Sequence, residues 1–433
     1  MAKTTELVIP AGDLEKLKYA IAFGADAVYL GIPKYSLRAR ENGFKSLADV
    51  ALAIDYTHKS DKKAYVTANV FAHNSKVSGF VKYVDDLLRL CKPDAWILSD
   101  PGLISLMREH FPKEAIHISV QSNVINYASA KFWQTMGAKR IILSREITIA
   151  EMKEIHAAAP DLELESFVHG AICIAYSGRC LISNYLTHRD SNQGLCTNSC
   201  RWQYKLLKKD AAATETPYAD KYIPLKDEFA LEEAERKGEL LPLDEDENGT
   251  YLMNAKDLCA IECLNELKAA GISAFKVEGR SKTVYYVSMI TRAYRRAIND
   301  MKLGKPFNPE HMKDILATSA RGYTQGFLHG NPQESALEYN KSGSASSTYR
   351  FTGIVTGYDN DKKLMKVDVR NPIKINHSYE LCLPDQDIIL DVKEIFNDKA
   401  QPVNEIHGGL HSCWLPYPQN PGDFALFREK IDA

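Results

Sequence analysis

Short apolar, β-branched runs alternate with longer amphipathic stretches along the first two thirds of the chain. This alternation is typical of a parallel α/β sheet, in which buried strands are connected by helices. Eight runs fit the strand pattern: Glu6–Ala11, Ala27–Gly31, Ala64–Asn69, Ala95–Ser99, Ile116–Gln121, Arg140–Ser144, Leu162–Val168 and Ala274–Glu278. Eight strands with intervening helices predict a (β/α)8 TIM-like barrel.

Polar residues follow or end several of these strands. Barrels of this kind carry their chemistry at the carboxyl ends of the strands, so such residues are expected to converge on one mouth. Ordinary loop polarity explains each of them equally well. The residues are Asp100, Gln121, Arg145, Glu146, Glu165, His169, Glu278 and Arg280.

The chain is predicted to form two domains. Residues 1–341 form the barrel, with an insertion at about 169–250 before its last strand, and the acidic run Leu231–Asn248 indicates a surface excursion. The Ser- and Gly-rich stretch at 342–348 indicates a linker. Short strand-like runs over 349–433, interrupted by Gly, Pro, Asn and Asp, predict a small all-β domain, a β-barrel or sandwich.

Composition places the chain among globular proteins, with 45% hydrophobic and 25% charged residues in 433. The formal net charge is −2, so a nucleic-acid partner would have to be held by a local basic patch. No secretion signal precedes the first strand and no apolar run reaches the roughly 18 residues of a membrane span, so we expect a cytoplasmic protein without a membrane partner. Its nine cysteines then point to metal or redox chemistry and not to disulfides.

Four cysteines are grouped as Cys173, Cys180, Cys196 and Cys200, with the spacing C-x6-C-x15-C-x3-C. Four thiolates can hold one iron–sulfur cluster. Structural zinc sites usually pair their cysteines two to four residues apart, so the wide first gap favours iron–sulfur over zinc.

The other five cysteines are expected to be buried packing residues. Cys259 and Cys263 have i,i+4 spacing on a predicted helix and could supply two metal ligands, which is an alternative to a packing role.

The segment Glu165–Cys173, continued by Tyr176–Ser183, resembles the signature of peptidase family U32, the collagenase-like proteases. Further segments look like a branch of that family that modifies tRNA, and together with the C-terminal β domain they extend the resemblance to essentially the whole chain. These segments are His188–Gly194, Cys200–Trp202, Met253–Asp257 and Lys276–Arg280.

The resemblance implies hydroxylation of the wobble uridine in the tRNA anticodon loop to 5-hydroxyuridine. It also implies prephenate as co-substrate, the iron–sulfur assembly machinery as a partner, and a [4Fe–4S] cluster on the four grouped cysteines. Family members do not all use the same fourth cysteine, so either Cys200 or another cysteine completes the set. Relatives hydroxylate ribosomal RNA or a ubiquinone precursor, which leaves another RNA or a small molecule open as substrate.

Several residues are candidates for binding and proton transfer. Arg145, Arg189 and Arg280 suit the two carboxylates of prephenate, because a planar guanidinium pairs with a carboxylate bidentately; a structural ion pair is the alternative for each. Glu165 and Glu278 could donate or accept a proton, or only orient an arginine.

RNA contact requires basic and aromatic groups together, and the stretch from Arg201 to Lys205 with Lys208 and Lys209 supplies both. Trp202 could stack a splayed base or pack under the cysteine loop. Alternatively, the C-terminal domain docks the tRNA and the barrel is a scaffold.

A U32-type peptidase is the competing function. Its best case is Cys173 as nucleophile with His169 as base. That arrangement would leave three grouped thiols unexplained, and the chain has neither a His-Glu-x-x-His nor a Gly-x-Ser-x-Gly motif.

Overall fold

The computed structural model describes residues 5–38, 42–202, 255–318, 322–331, 347–409 and 411–431, together with the backbone of short strands between 207 and 250. Most of the acidic run Leu231–Asn248 lies outside the described residues. The same is true of the predicted linker, of which only residues 347 and 348 are described.

Strands and helices alternate through the first 171 residues. In chain order they are β1 Glu6–Ala11, α1 Leu14–Ala22, β2 Ala27–Gly31, α2 Leu47–Lys59, β3 Lys63–Ala68, α3 Asn74–Val77, α4 Phe80–Leu88, β4 Ala95–Leu98, α5 Pro101–His110, β5 Ile116–Ile118, α6 Tyr127–Thr135, β6 Ala138–Ile142, α7 Ile149–Ala158 and β7 Glu163–Ala171.

The insertion follows β7. It contains α8 Ile182–Thr187 and the short strands β8 Leu207–Lys209, β9 Tyr222–Pro224, β10 Phe229–Glu232, β11 Leu240–Leu243, β12 Glu245–Asp246 and β13 Gly249–Thr250. The chain then returns through β14 Asp257–Cys259, α9 Leu264–Ala269, β15 Ile272–Val277, α10 Val284–Lys302, α11 Met312–Leu316 and β16 Tyr323–Thr324.

Strand β15 closes the barrel. It pairs in parallel with β1 on one side and with β7 on the other, so that β1 to β7 and β15 form a complete ring of eight parallel strands. The predicted (β/α)8 barrel is therefore confirmed. Strand β14 was not predicted; it lies antiparallel on the end of β7 and carries β16 on its other edge.

Local sequence explains where the helices begin. Ser46 and Thr148 each form a capping box. The cap side chain accepts from the amide of the third helix residue, and the carboxylate of that residue accepts from the amide of the cap. Asp100 caps α5 without such a reciprocal bond, and its Oδ1 accepts from the Leu103 amide at 3.0 Å. Asp100 thus stabilises the start of a helix.

A buried ion network crosses the interior of the barrel. Arg140 on β6 donates to Glu6 on β1 at 2.7 Å and to Glu165 on β7 at 2.9 Å. Lys276 on β15 donates to the other oxygen of Glu165 at 2.5 Å, and Tyr65 on β3 donates to Glu6 at 2.7 Å. Five strands are thereby joined through buried polar and charged side chains.

The C-terminal domain is all-β, as predicted. Its strands are β17 Tyr349–Asp359, β18 Leu364–Val369, β19 Ile373–Lys374, β20 His377–Cys382, β21 Asp387–Val392, β22 Ile395–Asn397, β23 Pro402–Val403, β24 Glu405–Ile406, β25 Ser412–Pro416 and β26 Leu426–Lys430. Eight of them form an antiparallel sheet in the order β21-β20-β26-β17-β18-β25-β22-β23, while β19 pairs with β24.

Two buried arginines join this domain to the barrel. Arg292 on α10 bonds to Asp314 of α11 and, at 2.7 Å, to Asp387 of β21. Arg428 on β26 bonds to Asp314 at 3.2 Å and to Glu380 of β20 at 2.9 Å. Each arginine contacts carboxylates from both domains, so the pairing fixes the sheet against α10 and α11.

We expect Arg140→Met to lower the free energy of unfolding by about 3 kcal/mol at neutral pH, because it leaves the buried Glu6 and Glu165 without their shared cation. Chemical denaturation followed by circular dichroism measures this. Lys59→Ala, which breaks an exposed helix-surface pair with Asp55, should change little.

The loss of unfolding free energy in Arg140→Met should be smaller at acidic pH. Burial alone would raise the pKa of Glu6, but Arg140, Lys63 and Tyr65 hold it below its ordinary value of 4.5. A lowered carboxyl pKa stabilises the fold above the unfolded-state pKa, and this contribution is lost as the pH falls. A difference between wild type and Arg140→Met that does not shrink below about pH 4.5 would contradict this role for the network.

Candidate functional site: a cysteine-lined pocket at the barrel mouth

A cavity of about 170 Å³ opens at the carboxyl ends of the barrel strands. Its walls come from residues that follow β2, β3, β5, β6, β7 and β15, and from the loop after β7. All four grouped cysteines line it, together with Arg38, Gln121, Arg145, Lys276, Glu278, Arg280 and Arg201. The structure therefore brings the cysteine loop and the strand ends to one place.

Hydrogen bonds hold the cysteine loop over the mouth. Asn123 donates to the carbonyl of Ser177 at 2.6 Å, and Arg201 donates to the carbonyl of Ile172 at 2.8 Å. Gly178 has a φ of 74°, and a Cβ there would lie 2.7 Å from the carbonyl oxygen of Gln121. A glycine is needed at this turn because the loop packs directly on the end of the fifth strand.

The four thiols lie close enough to influence one another. Cys173 is exposed and the other three are half-buried. Burial raises the pKa of Cys200, and the thiolates of Cys173, Cys196 and Cys180 raise it further, while Arg201 opposes this shift. Four neighbouring thiolates repel one another, and a bound metal centre would relieve this repulsion.

The four thiols line one cavity, and four cysteine thiolates are the donor set that an iron–sulfur cluster uses. The residues present therefore fit such a cluster, and four thiolates can also bind one zinc ion.

Cys259 and Cys263 do not form the two-ligand pair that their spacing allowed. The Sγ atom of Cys259 faces the Tyr294 hydroxyl at 4.0 Å, inside the core. The Sγ atom of Cys263 lies 3.6 Å from Nε2 of His329, with Glu266 nearby. Burial raises the pKa of the Cys259 and Cys263 thiols to about 11 and about 12 respectively.

Positive charge dominates the pocket. Its charged lining consists of five cationic side chains and one carboxylate, Glu278. Arg145 donates to the carbonyl of Ala171 at 2.5 Å and to Ser177 at 3.2 Å, and its Nε has no hydrogen-bond partner among the described residues. Such an excess of fixed cations attracts an anionic ligand.

Arg280 is positioned by the end of β2. Its guanidinium donates to Ser36 at 2.7 Å, to Thr67 at 3.1 Å and to the carbonyl of Leu37 at 2.6 Å. A Cβ at Gly31 would lie 2.6 Å from its Nη1, so the absence of a side chain at Gly31 makes room for this arrangement. Three acceptors fix the plane of the guanidinium while it lines the pocket.

Four candidates lie outside the lining of the pocket. Glu165 is fully buried between Arg140 and Lys276 in the barrel network, which gives it a structural partner on each oxygen. Arg189 is exposed on the loop. Trp202 is 40% exposed, and its indole N–H donates to the carbonyl of Thr197 at 3.1 Å, so it is not buried under the cysteine loop.

The fourth is His169, a residue of β7 whose ring packs against α10. Its ring contacts those of Tyr286, Tyr294 and Tyr323, and Nδ1 lies 3.3 Å from the hydroxyl of Tyr294. Burial lowers the pKa of His169 to about 3, and its Nε2 has no partner among the described residues. Neither ring nitrogen bonds to Cys173, so Cys173 and His169 do not form the hydrogen-bonded pair that a cysteine peptidase uses.

Of the eight polar residues expected at the mouth, Gln121, Arg145, Glu278 and Arg280 line the pocket. Glu146 instead bonds to the neighbouring Ser144.

Sequence reasoning missed three cations of the pocket. Lys276 is a single charge within the apolar run Ala274–Val277, which is the signal that could have marked it as an inward-facing functional or ion-paired group. Burial, with Arg140 and Arg280 nearby, lowers its pKa, although Glu165 opposes this. Arg38 lies in the loop after β2 and has no pattern that distinguishes it from a solvated arginine. Arg201 follows Cys200 and was considered for RNA contact, not for the pocket.

A closed (β/α)8 barrel with a thiol-lined, cationic pocket at the carboxyl ends of its strands has the architecture of a barrel enzyme. The chain belongs to peptidase family U32. Residues 12–338 match the family, and residues 347–428 match the peptidase family U32 C-terminal domain.

Two relatives are similar in sequence over nearly the whole chain, which includes both domains. The tRNA hydroxylation protein P of Escherichia coli (strain K12) is 42% identical, over 96% of this chain and 94% of its own length. The protein of the same name from Haemophilus influenzae is 41% identical over the same shares. The 23S rRNA 5-hydroxycytidine C2501 synthase of E. coli is 33% identical over 68% of this chain and 39% of its own length.

Among solved structures, the U32 peptidase Mk0906 covers 64% of this chain and 94% of its own, with a TM-score of 0.39 and 12% identity. This similarity is too low to add to the assignment. No helix in the described part of the chain is both long and apolar enough to cross a membrane.

The exposure of the cysteines predicts their order of alkylation. In metal-free protein we expect iodoacetamide to label Cys173 fastest and to label Cys382 and Cys413 only after unfolding, because both are buried and burial raises the pKa of Cys413 to about 12. Mass spectrometry of digested samples over time measures this. Early labelling of Cys413 would contradict the packing of the C-terminal core.

Proposed function

We propose that this protein is an RNA-modifying hydroxylase that converts the wobble uridine of tRNA to 5-hydroxyuridine, with prephenate as co-substrate and a [4Fe–4S] cluster as cofactor. The observation that carries the proposal is the joint lining of one pocket by four thiols and five cationic side chains. The near full-length similarity to proteins named for tRNA hydroxylation supports RNA as the substrate.

Replacing the hydrogen on uracil C5 by a hydroxyl group is a two-electron oxidation. The reaction therefore needs an acceptor for the two electrons and an oxygen donor close to the base, and a redox centre could pass the electrons on one at a time. A [4Fe–4S] cluster held by Cys173, Cys180, Cys196 and Cys200 would supply one-electron redox chemistry at the pocket. The half-burial of three of these cysteines would limit the access of water to it.

The arginines suit a dicarboxylate such as prephenate. Arg280 presents a guanidinium that three acceptors already hold in place, and Arg145, after β6 at the same mouth, has a buried Nε without a hydrogen-bond partner among the described residues. Planar, fixed guanidinium groups bind carboxylates with two parallel hydrogen bonds. Lys276, below them, adds a third cation at the base of the pocket, where it lies 4.2 Å from the ring centroid of Tyr29.

Glu278 is the remaining candidate for proton transfer. It is the one carboxylate that the described residues contribute to the lining, its side chain is 19% exposed, and it lies 3.8 Å from the guanidinium of Arg38. That distance is longer than a tight ion pair, which leaves the carboxylate able to accept a proton from the reacting base or donate one to it. Glu165 has no such freedom, because Arg140 and Lys276 occupy both of its oxygens.

The cluster is tested by removing one ligand. We expect Cys173→Ser, purified without oxygen, to lose most of its iron, its sulfide and its visible absorption, and to make no 5-hydroxyuridine. Cys91→Ser, at a half-buried cysteine that follows α4 and does not line the pocket, should retain the iron, the sulfide and the activity. Zinc alone, or no metal, in the wild-type protein would refute the cluster and return attention to the peptidase function.

Carboxylate binding is tested by Arg145→Lys, which keeps the positive charge but removes the planar guanidinium. We expect the KM for prephenate to rise about tenfold, with unchanged iron and sulfide, because one bidentate contact is lost while the cluster ligands remain. Arg89→Lys, on the outer face of α4, is the matched control. An unchanged KM would remove Arg145 from the binding site.

A further inference from the structure

Exposed apolar and aromatic side chains are concentrated around the mouth of the pocket. Among the described residues, seven of the sixteen exposed large hydrophobic side chains fall within the 29 residues from 174 to 202. We call these seven side chains the aromatic lip: Ile174, Tyr176, Leu181, Tyr185, Leu186, Leu195 and Trp202. Exposed apolar surface at this density usually marks a binding surface, since folding alone gives no reason to leave it in water.

The lip is built as one unit with the cysteine loop. Ser183, at the start of α8, donates to the carbonyl of Arg189 at 2.8 Å and accepts from the amide of Thr197 at 3.1 Å. Thr197 in turn accepts the indole N–H of Trp202 through its carbonyl at 3.1 Å. Tyr185 on α8 and Trp202 are thus fixed relative to Cys196 and Cys200, which lie on either side of Thr197 in the chain.

Positive charge accompanies these side chains. The segment 174–202 contains Arg179, Arg189 and Arg201, and its single acidic residue is Asp190. Arg179 and Arg189 are exposed, whereas Asp190 accepts the amide of Asn192 at 2.8 Å within its own turn. A protein with a net charge of −2 therefore has a local basic, aromatic surface beside its pocket.

We propose that the aromatic lip binds the unpaired nucleotides next to the target base, with Tyr185 and Trp202 as stacking platforms and Arg179 and Arg189 on the phosphates. The identity of the ligand as RNA rests on the proposed function. Tyr185 is 86% exposed, so a base can lie against its ring without any movement of the protein. Duplex RNA offers no unstacked base, which makes a single-stranded loop the ligand that fits this surface.

The test compares binding of an anticodon stem-loop RNA to the cluster-containing protein, measured by fluorescence anisotropy. We expect Tyr185→Ala to raise the Kd about tenfold, because one base–aromatic stack is lost, and Tyr185→Phe to bind as the wild type does. Tyr127→Ala is the matched control: Tyr127 lies on α6, is 53% exposed and has Lys131 beside its ring. Iron and sulfide content should be the same in all variants.

A duplex RNA of equal length serves as the second probe. We expect it to bind more weakly, with a Kd that Tyr185→Ala does not change, since phosphate contacts alone would hold it. Equal losses for stem-loop and duplex would contradict stacking and leave only electrostatic attraction.

Three outcomes separate this inference from its alternatives. Wild-type affinity in both Tyr185→Ala and Trp202→Ala would overturn it. If these variants bind RNA as the wild type does but sediment as a monomer where the wild type is a dimer, the inference is overturned. The surface would then bind a second copy of the chain. Binding that depends on Tyr185 in a protein that makes no 5-hydroxyuridine would support the lip and refute the proposed function instead.

Discussion

The closure of the barrel by β15 is the constraint on which the site depends. This strand arrives only after the long insertion, and it pairs with both β1 and β7. The amide of Glu278 donates to the carbonyl of His169 at 2.8 Å, and a Cβ at Gly170 would lie 2.6 Å from the carbonyl of Glu278. The ends of β7 and β15 are therefore in direct contact, which places Glu278 and Arg280 beside the loop that carries the cysteines.

Two sets of charges occupy the barrel at different depths. The deeper set, around Arg140, satisfies its carboxylates internally and contributes structure. The shallower set at the mouth has more cations than carboxylates and can attract an anion. Lys276 belongs to both, because it bonds to Glu165 and also lines the pocket. A change in charge at the mouth will therefore also affect the network that joins the strands.

The insertion after β7 carries both the grouped thiols and an exposed surface. Its loop brings four thiols over the mouth and, within the same hydrogen-bonded segment, an exposed surface of aromatic and cationic side chains. The C-terminal sheet is fixed elsewhere, against α10 and α11, through Arg292 and Arg428. The four thiols and the proposed nucleotide surface thus share one segment of the chain, so a base held by the lip would lie near the cysteines.

The sequence by itself determined the eight barrel strands, the all-β second domain, the spacing of the cysteines and the family, because strand periodicity and motif spacing are local properties of the chain. Only the tertiary structure decided which strand-end residues share the pocket. Both Arg145 and Glu165 were expected at the mouth, yet Arg145, after β6, lines the cavity, whereas Glu165, within β7, is held by a partner 25 residues away. Arg140 meets Glu6 across 134 residues, and His169 faces the tyrosines of α10. Such pairings depend on side-chain direction and on barrel closure, which no local pattern encodes.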